Sequence, residues 1–271
     1  MGQLDGQTAL VTGGGRGFGR AISESLAEAG AAVGVVARSK DQLDEVVAAI
    51  TAKGGRAVAA TCDVTDRASV AAAVAAVEQA LGPVTILVNN AGIPGPFGPI
   101  GSIDPDDWWY AQKLHLYAPL LFISAVLPGM KAKGGGRIIN VASKAATFVQ
   151  PNLSAYCVGK AAQVRFTEHV AQENAGQGIF AFAIQPGDAP TEMANQTLNS
   201  PEAQRYAPEM LAVIRDWVAT YDPEPVLKLC GDMVVRLASG RYDGLSGMYL
   251  EPEWDFDALL AERKAAETPA S

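Results

Sequence analysis

The chain has 271 residues, 49% of them hydrophobic and 18% charged, which is enough apolar material for a large buried core and argues against disorder. Its net charge of -8 and pI of about 4.8 oppose a phosphate backbone, and no local basic patch reverses this, so nucleic acid is excluded as the expected partner. Cys62, Cys157 and Cys230 make an odd count without CxxC spacing, so neither a disulfide framework nor a zinc or other metal site is expected.

The opening MGQLDGQTAL has no basic region and no apolar run, and Gly6 stands where a myristoylation site wants Ser or Thr. A cytoplasmic, reducing location is the expectation. Thr8 to Thr12 then reads as a strand, Phe18 to Ala29 as a helix closed by Gly30, and Ala32 to Ala37 as a second strand. Ser39 with Gln42 three residues later has the form of a capping box, opening a helix that Gly54 and Gly55 stop. Ala57 to Cys62 is a third strand, Arg67 to Leu81 a third helix stopped by Gly82 and Pro83, and Val84 to Asn89 a fourth strand.

After a Gly/Pro-rich loop, Asp104 and Pro105 start a long helix that Pro119 should kink. Its apolar part, Leu114 to Met130, is interrupted by His115, Pro119 and Pro128, falls short of a membrane span, and reads as a buried helix. Arg137 to Ala142 is a fifth strand, Leu153 to Asn174 a helix, and Ile179 to Ile184 a sixth strand. The alternation loosens beyond Gln185 into a segment with Pro186, Pro190, Pro201 and Pro208. A helix near Glu224 to Ala238 and a last strand at Met248 to Leu250 follow, then an acidic amphipathic tail helix from Trp254. Val- and Ile-rich strands alternating with Ala-rich helices predict an α/β fold, a doubly wound Rossmann-type sandwich with a mostly parallel seven-stranded sheet. No linker or repeat divides the chain, so residues 1–271 read as a single domain, with a substrate-covering segment at about 188–222 and a tail helix at about 254–267.

The first strand runs into Thr12-Gly13-Gly14-Gly15-Arg16-Gly17-Phe18-Gly19 and then a helix. Glycines there let the backbone approach a pyrophosphate, and the helix N-terminus offers free amides to its charge. The alternative is a flexible turn, which the strand-turn-helix context disfavours. No GxGxxG register fits, and the spacing is TGxxxGxG. With that motif the sequence resembles the short-chain dehydrogenase/reductase family in its short, single-domain form. Asp63-Val64, Asn89-Asn90-Ala91-Gly92, Ser143, Tyr156, Lys160, Pro186-Gly187 and Thr191 extend the resemblance over residues 8–191.

The resemblance implies a nicotinamide cofactor held by Gly13, Gly15, Arg16, Gly17, Phe18 and Gly19. Asp63 and Val64 would lie by the adenine, Asn90, Ala91 and Gly92 would line the cofactor, and Pro186, Gly187 and Thr191 would meet the carboxamide. At the end of the second strand, where a carboxylate would repel a 2′-phosphate, stands Ala37, followed by Arg38. Arg16 and Arg38 could together grip a 2′-phosphate, which points to NADP(H) rather than NAD(H); the alternative is that they are solvated surface charges.

Tyr156 and Lys160 are four apart at the start of a helix, which puts them on one face. A cation at ~4 Å is worth about 4 kcal/mol at an effective dielectric near 20, enough to lower a phenol by roughly three pKa units. The resemblance assigns that work to Lys160, together with a hydrogen bond to the nicotinamide ribose, and implies proton transfer by Tyr156 beside Ser143 during interconversion of a ketone or aldehyde and an alcohol. Family members carry an asparagine where this chain has Leu114-His115-Leu116. An imidazole can also donate and accept hydrogen bonds, so His115 is either a relay residue or a buried structural histidine.

Cys157 is expected to pack in the core, Trp108 and Trp109 to serve packing or subunit contact, and His169 to be structural. Phe97, Phe148, Met193, Leu198, Tyr206, Met210, Leu211 and Trp217 could line an apolar substrate pocket or pack their segment on the core. The resemblance also implies a homotetramer pairing the fourth and fifth long helices, with the tail joining that interface or folding over a neighbour's active site. The competing reading is a non-catalytic cofactor-binding sensor or scaffold, and a third is dehydratase or epimerase chemistry on the same fold.

Overall fold

A computed structural model describes residues 2–267. Among these, seven strands form one parallel sheet in the order β3-β2-β1-β4-β5-β6-β7. They are β1 (Thr8–Thr12), β2 (Ala32–Ala37), β3 (Arg56–Thr61), β4 (Ile86–Asn89), β5 (Gly136–Val141), β6 (Ile179–Ile184) and β7 (Tyr249–Leu250). The central strands β1 and β4 are buried along their whole length because helices cover both faces, leaving no solvated side on which polar residues could alternate.

One layer consists of α1 (Gly17–Glu28), α2 (Lys40–Ala52) and α10 (Glu224–Ala238), which bury Ile22, Leu26, Val46, Ile50, Met233 and Leu237. The other holds α3 (Arg67–Leu81), α5 (Ala118–Ala132) and α6 (Ser154–Glu173), whose Val70, Val77, Phe122, Val126 and Val170 pack on the opposite face. Gly231 lets α10 lie close on α1, since a Cβ there would fall 2.1 Å from the Ser25 hydroxyl. The predicted doubly wound α/β sandwich is therefore observed, with element ends displaced by a residue or two.

Several local expectations change. Ser39 precedes α2, but its side chain makes no capping hydrogen bond, so the capping box does not form. The helix beginning at Asp104 is broken rather than simply kinked. After α4 (Pro105–Gln112), Lys113–Tyr117 form a π-turn, and α5 follows with Pro119 in its first turn. The Pro119 ring cannot donate to the carbonyl four residues back, that of His115, and crowds it, so the dislocation opens upstream of the proline.

As a continuous rod, Pro105–Ala132 is 28 residues long with a mean hydropathy of 1.3 in its most apolar window, so length and composition alone would permit a membrane span, contrary to the expectation. Half of that window is buried inside the protein against the sheet and α3, as expected of a core helix. The segment after Pro190, expected to be irregular, forms α7 (Glu192–Leu198), α8 (Pro201–Tyr206) and α9 (Pro208–Thr220). The tail helix α11 (Phe256–Glu267) is anchored to its own chain. Phe256 is fully buried and meets Tyr242 edge-on, with ring centroids 5.5 Å apart.

Candidate functional site

In an open parallel sheet the place for a ligand is the crevice at the carboxyl ends of strands where strand order reverses, here between β1 and β4. The two strand ends are stitched together. Thr12 Oγ1 accepts from the backbone amides of Asn90 and Ala91 at 3.0 and 3.1 Å. The Asn90 amide donates to the carbonyls of Thr12 and Gly13 at 3.0 and 3.2 Å. Gly13 has φ +64, and a Cβ on Gly19 would lie 2.1 Å from the Gly13 oxygen, so the turn requires both glycines.

A cleft of about 350 Å³ opens over this turn. It is lined by Gly13, Gly15, Arg16, Gly17, Phe18 and Gly19 from the turn, Ala37 and Arg38 after β2, Asp63 and Val64 after β3, Asn90, Ala91 and Gly92 after β4, and Thr191. Ser39, Gln42, Tyr110, Glu192 and Gln196 also line it; the sequence marked Ser39 and Gln42 only as a capping box and did not single out the other three. Gln42 faces the glycine turn instead of closing a capping box; a Cβ on Gly15 would sit 3.1 Å from it.

No side chain caps the first turn of α1, so its free amides are left for an anion, with the positive end of the helix behind them. Arg16 is half exposed and lies 3.8 Å from Glu192, an ion pair worth at most a few tenths of a kcal/mol in solvent and easily exchanged. Two hydrogen bonds from Thr65 hold the Asp63 carboxyl below the usual carboxylate range, and the charge of Arg38 adds to this. The glycine cradle, the uncapped helix and the Arg16 and Arg38 guanidinium groups that line the cleft fit a phosphate-bearing dinucleotide.

A second cavity of about 340 Å³ adjoins the first and shares Phe18, Asn90, Gly92, Thr191 and Met193 with it. Ser143, Tyr156, Lys160, Pro186 and Gly187 all line it. Ser143 follows β5, where its hydroxyl accepts from the Ala145 amide at 3.1 Å and lines the same cavity as Tyr156. Lys160 is buried one helical turn beyond Tyr156; its ammonium donates to the Val141 carbonyl at 2.7 Å and lies 5.7 Å from the centre of the tyrosine ring.

The electrostatics differ from the expected ones. Burial pushes the Tyr156 phenol up, opposed by the hydrogen bond from Ser143, while Lys160 spends its charge on a backbone carbonyl. The Lys160 amine is itself brought down to about 7 by burial, so near neutrality it sits between charged and neutral forms.

His115 lies in the π-turn, fully buried behind the cavity, its ring edge-on to Tyr156 with centroids 5.4 Å apart. Gly92 and Gly159 make room for it: a Cβ on either would come within 3.2 Å of the histidine. Nε2 is 3.0 Å from the Ile93 carbonyl, which can only accept, so the proton sits on Nε2 and Nδ1 is a bare acceptor. That Nδ1 is buried with no partner among the described residues. Burial, followed by the charge of Lys160, depresses the imidazole to about 3 and keeps it neutral.

Of the other side chains, Cys157 is buried as expected, and Cys62, Cys157 and Cys230 are all free. Trp108 donates to the Ser154 hydroxyl at 3.2 Å, whereas Trp109 is exposed. His169, expected to be structural, is a surface residue 3.8 Å from Glu173. Phe97, Met193, Met210 and Trp217 line the second cavity; Leu198 and Leu211 pack beneath the segment, and Phe148 is exposed.

The family model described as short chain dehydrogenase matches residues 7–202. A short chain dehydrogenase of Pseudocercospora fijiensis is 36% identical over 268 residues, covering 97% of this chain and 85% of that protein. A gluconate 5-dehydrogenase from Burkholderia cenocepacia in complex with NADP and tartrate superposes with a TM-score of 0.78 at 30% identity, over 92% of this chain and 94% of that one. A 7α-hydroxysteroid dehydrogenase complexed with NADH and a 7-oxo bile acid gives 0.77 at 30% identity, over 92% and 93%. Solved structures of the same likeness therefore hold either nicotinamide.

Proposed function

The chain belongs to the short-chain dehydrogenase family, and from that premise we propose that it is an NADP(H)-dependent oxidoreductase interconverting a ketone or aldehyde and an alcohol. Dehydrogenase or reductase activity follows from the family. The choice of cofactor and the roles of residues are our reading. What carries it is that Ser143 and Tyr156, with Lys160 one turn on, line a cavity that adjoins the cleft of the glycine turn.

The reduced nicotinamide, when bound, supplies hydride to a carbonyl carbon. Gly13, Gly15, Gly17 and Gly19 admit the pyrophosphate to the α1 amides, and Phe18, Asn90, Ala91, Gly92, Pro186, Gly187 and Thr191 frame the rest of the cofactor. Asp63 and Val64 flank the adenine. Arg16 and Arg38 bind the 2′-phosphate beside Ala37, where a carboxylate is lacking; both line the same cleft. Ser143 and Tyr156 share the substrate oxygen, and Tyr156 gives it the proton in reduction or takes it in oxidation. Lys160 holds the ribose and, when charged, favours the phenolate. We read His115 as the structural histidine of the two roles expected for it: it anchors the π-turn behind this pair through Ile93, with its one ring proton committed to that carbonyl and the ring kept neutral.

We further read the chain as one catalytic domain of a cytoplasmic homotetramer. Trp109, Tyr110, Tyr117 and Leu120 on the α4–α5 rod and Val158 on α6 are exposed, more apolar surface than a helix facing only solvent carries. The test of function is absorbance at 340 nm with NADPH and a panel of ketones: consumption dependent on substrate supports the proposal, and binding of NADPH without turnover of any substrate favours the sensor or scaffold.

A further inference from the structure

The second cavity is walled on one side by Phe97, Leu153, Met193, Met210, Ile214 and Trp217. At about 340 Å³ it takes a molecule of one or two rings. Among the described residues lining it, Lys160 is the one base and Asp188 the one acid. Asp188 does not serve the fold in any evident way. Its side chain is exposed to the cavity, and its hydrogen-bond partner is the side chain of Gln185.

That partner fixes where the carboxylate sits. Gln185 is buried; its Oε1 accepts from the Lys144 amide at 3.3 Å and its Nε2 donates to Asp188 Oδ1 at 3.1 Å. The preceding Gly187 has φ +97, and a Cβ there would lie 2.4 Å from Val226, so the backbone entering Asp188 is held in one conformation. One carboxylate oxygen is thus engaged and the other is left to the cavity. The acid is close enough to Tyr156 that its charge adds to burial in raising the phenol.

We propose that Asp188 is the specificity-determining residue of the substrate cavity, selecting apolar carbonyl compounds that carry a hydroxyl near the reacting carbon and rejecting those that carry a carboxylate there. The inference rests on the oxidoreductase reading for its chemistry, but the preference is a property of binding. A hydroxyl donating to the free oxygen gains a charge-assisted hydrogen bond beside an apolar wall. A carboxylate in the same place meets like charge in a partly desolvated site. A cationic group would gain from Asp188 but face the Lys160 ammonium across the same cavity, so the neutral donor is favoured.

The test uses three probes of equal ring size: 2-hydroxyacetophenone, acetophenone and benzoylformate. Dissociation constants are measured by calorimetry with NADP+ present, so that the ketones are not reduced, and kcat/KM with NADPH is followed at 340 nm, for the wild type, Asp188→Asn and Asp188→Ala. The wild type is expected to bind the hydroxyketone about tenfold more tightly than acetophenone, and benzoylformate least well. Both variants should lose at least fivefold of the hydroxyketone-to-acetophenone ratio and narrow the gap to benzoylformate. Ratios are read because a merely structural role would weaken all three together. A wild type without the preference, or variants that keep it, would overturn the proposal. Preference in binding with no NADPH consumed on any probe would count against the oxidoreductase reading and leave the role of Asp188 standing; turnover without preference would do the reverse.

Discussion

Acid should destabilise this protein through one buried imidazole, that of His115. Burial holds its pKa at about 3, whereas in the unfolded chain it returns to the ordinary imidazole value of 6.5. The folded state therefore binds its proton more weakly than the unfolded state. The stability that comes from keeping the ring neutral is complete above pH 6.5 and is lost as the pH falls toward 3. At pH 4.5 the unfolded value lies two units above the solution and the folded value still below it, so the loss is about 3 kcal/mol at ~1.4 kcal/mol per unit. The assay is urea unfolding at pH 7 and pH 4.5, for the wild type and for His115→Asn, whose amide can still donate to the Ile93 carbonyl. Carboxylates and Lys160 titrate in both proteins, so the difference between the two pH-induced losses isolates the imidazole. The wild type should lose about 3 kcal/mol more than the variant. Equal losses would mean that the ring is reached by water or charged within the fold, and the neutral, Nε2-protonated histidine would be wrong.

Three further outcomes are expected. Wild type should prefer NADPH over NADH at least tenfold in kcat/KM; Arg38→Ala should erode the ratio and Ala37→Asp reverse it, while a wild type preferring NADH would mean that Arg16 and Arg38 serve solvent or Glu192. Gly19→Ala should lower Tm and weaken nucleotide binding at least tenfold, because its Cβ would collide with the Gly13 oxygen at 2.1 Å and force the turn open; unchanged binding by calorimetry would refute the stated need for glycine there. Light scattering should report an oligomer of the 28.2 kDa chain, and a lone monomer at working concentration would leave the exposed aromatics of α4 and α5 without their partner.

Much of the fold was legible because its signals are local. Apolar runs alternating with Ala-rich helical segments located the strands of the sheet, and Gly82, with φ +96, ends α3 where the reading stopped it. The glycine turn and the spacing from Ser143 to Lys160 likewise led to residues that line two adjoining cavities. What the sequence hid depends on tertiary context. Pro201 and Pro208 lie where the alternation loosens, yet they occupy the first turns of α8 and α9, where a missing amide does no harm. Ser39 and Gln42 have the spacing of a capping box, but the glycine turn packed against Gln42 takes that side chain elsewhere. The charge of Lys160 was expected on the phenol, and only the fold brings the Val141 carbonyl within 2.7 Å to claim it. Asp188 carries no periodic or motif signal, because its meaning comes from Gln185 and the cavity wall.

The central claim is that Tyr156, which shares with Ser143 the cavity adjoining the cofactor cleft, moves the proton. Tyr156→Phe removes the hydroxyl and keeps the ring that packs against His115. The decisive measurement pairs the dissociation constant for NADPH with single-turnover oxidation of NADPH at 340 nm for wild type and variant. The account predicts affinity within about threefold of wild type and a rate lower by at least a hundredfold, the usual scale of a general acid. A rate within tenfold of wild type, at unchanged affinity, would contradict it.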